Sequence, residues 1–388
     1  MKKKALPYGK QLIDARDAAG VAAVLRSDRL TQGPKVAEFE EKLAAYTGAK
    51  YALAMANGTA ALHLAYLACG VGPGEDVLTT PMTFAATTNG FLYCGARPVF
   101  SDVSSDTLNL EPELLGKKLT ARTAAIAPVD FGGHPAEMAA IAALAQKKKL
   151  AVVEDACHAL GARYRSGSSW KRVGDAAFAD ACVFSFHPVK AITTGEGGAV
   201  TTNRRDVYEK MRLLRSHGMV KARPEEPWHY EIASLGFNYR ITDMQCALGI
   251  SQLTKLNAFT ARRREIARRY NEAFKSFSLL RVPAERSGFE SAYHLYPIRL
   301  ELERLSAGRA EVFRALHREG LLVQVHYVPL HTQPLYKEYR GKAGDLPAAE
   351  DYYSRAVSLP IFPAMTAADL CRSIATVKKV LHSFERKR

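Results

Sequence analysis

The sequence predicts an α/β protein: a large domain with a mostly parallel mixed sheet flanked by helices, then a smaller C-terminal α+β domain. Three observations carry this. Between residues 51 and 202, short apolar runs of about four to six residues alternate with helix-length segments of about ten to fifteen. From Thr242 a long apolar-periodic segment runs to about Phe277 and leaves that alternation. The chain of 388 residues is long enough for two domains, with expected spans 1–249 and 250–388.

Taken in order, residues 15 to 48 read as helical, broken at Leu30-Thr-Gln-Gly-Pro34 and resumed from Lys35 to Tyr46. Tyr51 to Ala56 is a short apolar strand. Asn57-Gly58-Thr59 then opens a helix through Ala68, with Asn57 as a preferred N-cap and the free first-turn N–H groups as an anion site. Asp76–Thr80, Arg97–Ser101, Thr123–Pro128, Leu150–Asp155 and Ala181–Phe186 read as strands. Thr83–Tyr93, Glu111–Leu119 and Met138–Lys149 read as the helices between them. Beyond the long segment, 293–300 and 321–327 alternate like half-exposed strands, and 309–319 and 367–384 read as helices, the last with Thr366 as a possible N-cap.

Hydrophobic content of 47% and charged content of 24% are ordinary for a globular chain. No run of about 18 apolar residues marks a membrane span, and the start lacks the apolar stretch of a signal peptide. Six scattered cysteines without a C-x-x-C pair read as buried reduced thiols of a cytoplasmic protein. The formal charge of +15 comes partly from Arg262 to Arg269 and from the ends, Lys2–Lys4 and Arg386–Arg388. A helical charge run is ordinarily a solvated face, and no aromatic-interleaved basic pattern points to nucleic acid. No G-x-x-x-x-G-K-[ST] element, H-E-x-x-H or paired His/Cys spacing occurs, so neither a P-loop nor a metal site is expected.

In a doubly wound sheet, ligands gather at the carboxyl ends of the strands. Asn57, Thr80, Asp155 and the turn from Ser185 to Lys190 all fall there. Lys190 follows a buried strand and Pro188 and precedes a loop rich in Gly and Thr, so small neighbours leave room beside its amine. Alone it reads as a solvated turn lysine or as a nucleophile toward carbonyl compounds. An amine (Lys190), an acid at a strand end (Asp155), an anion site (Gly58, Thr59 and Ser185) and an aromatic ring (Phe84) form the set that pyridoxal phosphate requires.

Seven segments in order then carry a resemblance over nearly the whole chain. They are Leu30-Thr-Gln-Gly-Pro34, Asn57-Gly-Thr-Ala-Ala-Leu62, Thr80 to Asn89, Val153-Glu-Asp-Ala-Cys-His-Ala-Leu-Gly161, Ser185 to Gly198, Arg215-Ser-His-Gly218 and Gly236 to Gln245. The sequence resembles the DegT/DnrJ/EryC1/StrS sugar-nucleotide aminotransferases, whose architecture is the fold-type I pyridoxal-phosphate transferase. The resemblance implies pyridoxal 5'-phosphate as cofactor and Lys190 as its Schiff-base lysine and acid/base. It places Asp155 at the pyridine nitrogen, Phe84 on the ring, and Gly58, Thr59 and Ser185 at the phosphate. It implies a homodimer in which Asn238 reaches the neighbouring subunit's cofactor phosphate. His158 stands where many members have Gln, near the cofactor's phenolic oxygen.

His158, Leu214 to Met219, Tyr293 to Ile298 and Val323 to Tyr327 resemble the pseudaminic-acid branch of that family. That branch moves an amino group from glutamate, leaving 2-oxoglutarate, to C4 of a UDP-linked 4-keto-6-deoxy-N-acetylhexosamine. Another nucleotide-linked keto sugar, or a non-catalytic regulatory protein of the same fold, are the alternatives. A pyridoxamine-dependent dehydratase would carry histidine where Lys190 stands.

Overall fold

In the computed structural model, which describes residues 5–221, 223, 225–339, 341 and 344–386, the centre is a seven-stranded sheet. Its spatial order is Tyr51–Met55, Gly198–Thr202, Ala181–Ser185, Ala151–Asp155, Thr123–Ala127, Asp76–Thr79, Arg97–Phe100. Only Gly198–Thr202 runs against its neighbours, and every other pairing is parallel. Helices cover both faces, so the central strands read as apolar runs rather than alternating ones. All four positions of Asp76–Thr79 and all five of Gly198–Thr202 are buried.

The expected strands agree with this sheet to within a residue or two at each end. The helix after Asn57 spans Gly58–Ala68, and Asn57 Oδ1 accepts from the Ala60 N–H at 2.8 Å. The helix expected from Thr83 begins only at Ala85. Phe84 is its N-cap, with an extended backbone and a ring 60% exposed.

The long segment is one helix, Asp243–Phe274, opened by a capping box between Thr242 and Gln245. Asp243 is itself buried and accepts from the N–H groups of Gly33 and Lys35 at 2.8 and 2.9 Å, fixing the start of the helix Pro34–Thr47. The long helix serves two cores. Cys246, Leu253, Leu256 and Phe259 pack with the large sheet's helices, whereas Ile266, Tyr270 and Phe274 join a second core with Tyr296, Ile298 and Leu381. That second core backs a three-stranded sheet of Leu280–Arg281, Tyr296–Leu300 and Ala356–Leu359, covered by the helices Arg309–Arg318 and Ala367–Ser383. Thr366 caps the latter, accepting from the Asp369 N–H. The expected division near residue 250 falls inside this helix, and Leu6 from the N-terminal strand packs in the second core. We propose the division where the helix changes cores, between Phe259 and Ile266.

Three expectations need correction. The segment 321–327 pairs only at Leu321–Leu322, with Leu6–Pro7. Past one bridge at Gln324 it turns inward and carries His326 and Tyr327 to a cavity. The arginine run is a solvated face only in part, Arg268 being exposed. Arg263 is 2% exposed and donates to the carbonyls of Tyr293, His294 and Ile361, and Arg264 donates to those of Ser291, Gly161 and Glu290. All six cysteines are free, but Cys371 lies exposed beside Arg269. Lys2–Lys4 and the last two residues lie outside the described residues. Among the described residues no helix is long and apolar enough to cross a membrane.

Candidate active site

A cavity of about 770 Å³ opens at the carboxyl edge of the sheet. Gly58, Thr59, Phe84, Asp155, His158, Ser185 and Lys190, all expected at a site, line it together. Asn238 does not. It is exposed and its backbone bridges to Ser216, although the adjacent Tyr239 does line the cavity.

The floor is Asp155, the last residue of its strand and buried. Its Oδ2 accepts from the Thr87 hydroxyl at 2.6 Å and its Oδ1 from the Cys157 N–H at 3.1 Å. Because Thr87 commits its one proton to the carboxylate, the 2.6 Å contact between Thr83 and Thr87 must have Thr83 as donor. The carboxylate is thus held by a chain of two hydroxyls and a backbone amide.

Beside it stands Lys190, on the turn that closes with the Lys190 N–H donating to the His187 carbonyl at 2.9 Å. The loop behind is fixed by Phe186, whose N–H donates to Gly197 and whose carbonyl accepts from Thr193 and Thr194. Burial lowers the Lys190 pKa, opposed by the neighbouring Cys157 thiol and the Asp155 carboxylate. A larger fraction of the amine is therefore uncharged near neutral pH than for a surface lysine.

At one end the first turn of the helix Gly58–Ala68 points its free N–H groups at the cavity, next to the Ser185 side chain. Two glycines make this cradle. A Cβ on Gly58 would lie 3.0 Å from the Ser185 Cβ, and one on Gly198 would lie 2.5 Å from the Asn57 carbonyl group. The helix start and the reversed strand meet closer than side chains permit.

Of the far wall only His158 was an expected site residue, although the segments carrying His294, His326 and Tyr327 were singled out. His158, His294 and His326 and the rings of Tyr8 and Tyr327 all line the cavity. The Tyr327 hydroxyl meets His158 Nε2 at 3.1 Å, and the His158 and His294 rings lie 4.4 Å apart. Burial drives the pKa of His158 and His294 well below the usual histidine value, and that of His326 down to about 4. All three are neutral at pH 7. His158 Nδ1 is buried without a hydrogen-bond partner.

These features fit a phosphorylated pyridine ring. An anion cradle sits at one end, a hydroxyl-braced carboxylate lies on the floor, and Phe84 stands at the rim. An unpaired imidazole nitrogen is left to satisfy a ring substituent.

Comparison with known proteins bears on the same point. The profile of the DegT/DnrJ/EryC1/StrS aminotransferase family matches residues 11–378. The chain is 41% identical over 370 residues, 94% of each protein, to a UDP-4-amino-4,6-dideoxy-N-acetyl-beta-L-altrosamine transaminase of Campylobacter jejuni. Its structure is similar to that of Helicobacter pylori PseC, an aminotransferase involved in the biosynthesis of pseudoaminic acid. The TM-score is 0.92 at 36% identity, covering 98% of this chain and 100% of that one. The PLP-form of Spr1654 from Streptococcus pneumoniae gives a TM-score of 0.89 at 29% identity, over 98% of this chain and 99% of that one.

Proposed function

We propose a substrate and a division of roles from one premise: the chain belongs to the DegT/DnrJ/EryC1/StrS aminotransferase family. It is a pyridoxal 5'-phosphate-dependent sugar aminotransferase of the fold-type I architecture. Our reading is that it moves an amino group from glutamate to C4 of a UDP-linked 4-keto-6-deoxy-N-acetylhexosamine, releasing 2-oxoglutarate. This is the reaction type of a UDP-4-amino-4,6-dideoxy-N-acetyl-β-L-altrosamine transaminase. The observation that carries it is the convergence of Lys190, Asp155, Ser185 and the Gly58–Thr59 turn on one cavity. The Campylobacter relative's name and the pseudaminic-type segments support the sugar, two of those segments supplying the cavity residues His294, His326 and Tyr327.

The bound cofactor supplies an electron sink that lets an amino group and a proton change carbons. Everything else falls to this chain. Lys190 is the covalent attachment point and then the proton carrier. Burial lowers its pKa, which enlarges the share of free amine that can take up a proton and return it. Asp155, held by Thr87 and the Cys157 amide, keeps a carboxylate against the ring nitrogen. Gly58, Thr59 and Ser185 hold the phosphate, Phe84 covers the ring, and His158 donates to the ring oxygen from a neutral imidazole.

We further propose a homodimer in which Asn238 completes the neighbouring subunit's phosphate site. Asn238 lies outside its own cavity, and the exposed apolar side chains of Trp228, Tyr230, Ile232 and Leu235 (86% exposed) precede it. Such a patch on a soluble domain marks a contact surface.

The test is to supply glutamate with a panel of UDP- and dTDP-linked 4-keto sugars and identify the product by NMR. The reading expects C4 amination of the UDP-linked N-acetyl sugar as the preferred reaction. Preference for a dTDP-linked sugar would overturn the substrate, and amination of none would overturn the activity.

A further inference from the structure

The N-terminal segment crosses the cavity rim on its way between the two cores. Leu6 and Pro7 pair in parallel with Leu321 and Leu322, and the Leu6 N–H donates to the Gly320 carbonyl at 2.9 Å. The Tyr8 carbonyl accepts from the Ile361 N–H at 3.0 Å, which fixes Tyr8 to the smaller core. Gly9 then runs against Val189, the neighbour of Lys190, where a Cβ would be in ordinary contact at 3.5 Å. Farther on, Leu12 and Asp17 both accept from Gln252, and Asp17 also pairs with Lys255, tying the strap to the first half of the long helix.

This course sets one side chain into the cavity. The Tyr8 ring lies 5.2 Å from that of His326, whose Nδ1 is engaged with the Ser358 hydroxyl at 2.9 Å. Tyr327, adjacent in sequence, is engaged with His158. The Tyr8 hydroxyl makes no hydrogen bond to any described residue, and burial raises its pKa, so it stays protonated and able to donate. The carboxylate, the lysine and the phosphate cradle lie along the floor and one end, whereas Tyr8 stands on the wall brought by the smaller core.

We propose that Tyr8 is a substrate-contacting residue of the sugar half-reaction, its phenol donating a hydrogen bond to an oxygen of the keto sugar while its ring, with that of His326, shapes the sugar's wall. The proposal rests on the sugar-aminotransferase reading above. It assigns to a strap residue, remote from every motif, a part in choosing the acceptor and none in the reaction with glutamate.

Two half-reactions separate the possibilities. In Tyr8→Phe holoenzyme, the glutamate half-reaction, followed by the cofactor's absorbance without sugar, is expected to keep its rate within about twofold. The KM for the UDP-linked 4-keto-6-deoxy-N-acetylhexosamine rises about three- to tenfold, the loss of one hydrogen bond, with an unchanged unfolding midpoint. Tyr8→Ala, which also removes the ring, raises it further. The assignment is overturned if both variants leave the sugar KM and kcat within twofold, or if the glutamate half-reaction falls by the same factor as the sugar one. Failure of the underlying reading looks different: the unaltered protein then aminates no sugar in the panel, which overturns both.

Discussion

The proposed reaction asks two jobs of one amine at Lys190, and the pKa that burial lowers suits the second. Lys190→Ala should drop turnover below detection while the unfolding midpoint stays within about 3 °C, since the side chain stands at a cavity wall rather than in a core. Thr87 is a quieter part of the same site. Thr87→Val removes the donor to Asp155 Oδ2, and kcat in the glutamate half-reaction should fall about tenfold, the value of one hydrogen bond to a charged group. Behind Asp155, Glu154 points to the opposite face of the strand, and burial pushes its pKa up to about 7. A carboxyl with a raised folded pKa gives stability fully present below its unfolded value of 4.5 and lost as pH climbs through about 7. Glu154→Gln should therefore lose less, or even gain, stability relative to the parent at pH 8 than at pH 5, measured by urea midpoints. A gap that does not move with pH contradicts this. The floor of the site was readable from sequence because Gly58, Thr59, Asp155, Ser185 and Lys190 sit in local motifs at strand ends. Tyr8 and His294 were not, because only tertiary packing of distant segments brings them to the cavity, and the same packing sets Thr87 behind it against Asp155.

The helix Gly58–Ala68 shows how an element makes a site. Its N-cap, its free amides and the bare Gly198 beside it together fix where an anion can sit. Gly198→Ala forces a Cβ within 2.5 Å of the Asn57 carbonyl group and must displace that turn. Cofactor affinity, measured by dialysis and spectral titration, should fall roughly ten- to hundredfold. Strand and helix periodicity was legible throughout the sheet, where burial on both faces leaves continuous apolar runs. It misled at 321–327, where apolar alternation looked like a strand but the pairing amounts to Leu321 and Leu322 and a single bridge at Gln324. The arginines of Asp243–Phe274 misled too, because charge counts do not reveal that Arg263 spends its donors on three buried carbonyls. Arg263→Met should cost about 2–3 kcal/mol, the penalty for orphaning those carbonyls.

Across the molecule, one helix runs through both cores and the N-terminal strap ties them again, so the cavity is walled from both sides. The proposed dimer adds a third contribution. Mixed subunits of Lys190→Ala and Asn238→Ala should regain activity above the sum of the two variants, because a heterodimer rebuilds one complete site. Its three neutral cavity histidines also set an acid limit. Their lowered folded pKa values mean stability is lost as pH falls from about 6.5, with His326 resisting protonation to about 4. The central claim is the covalent bond at position 190. Protein loaded with pyridoxal 5'-phosphate, reduced with borohydride and digested, should show the phosphopyridoxyl mass on the peptide containing Lys190 and nowhere else. An unmodified Lys190 peptide, or the adduct on a different lysine, would contradict the account.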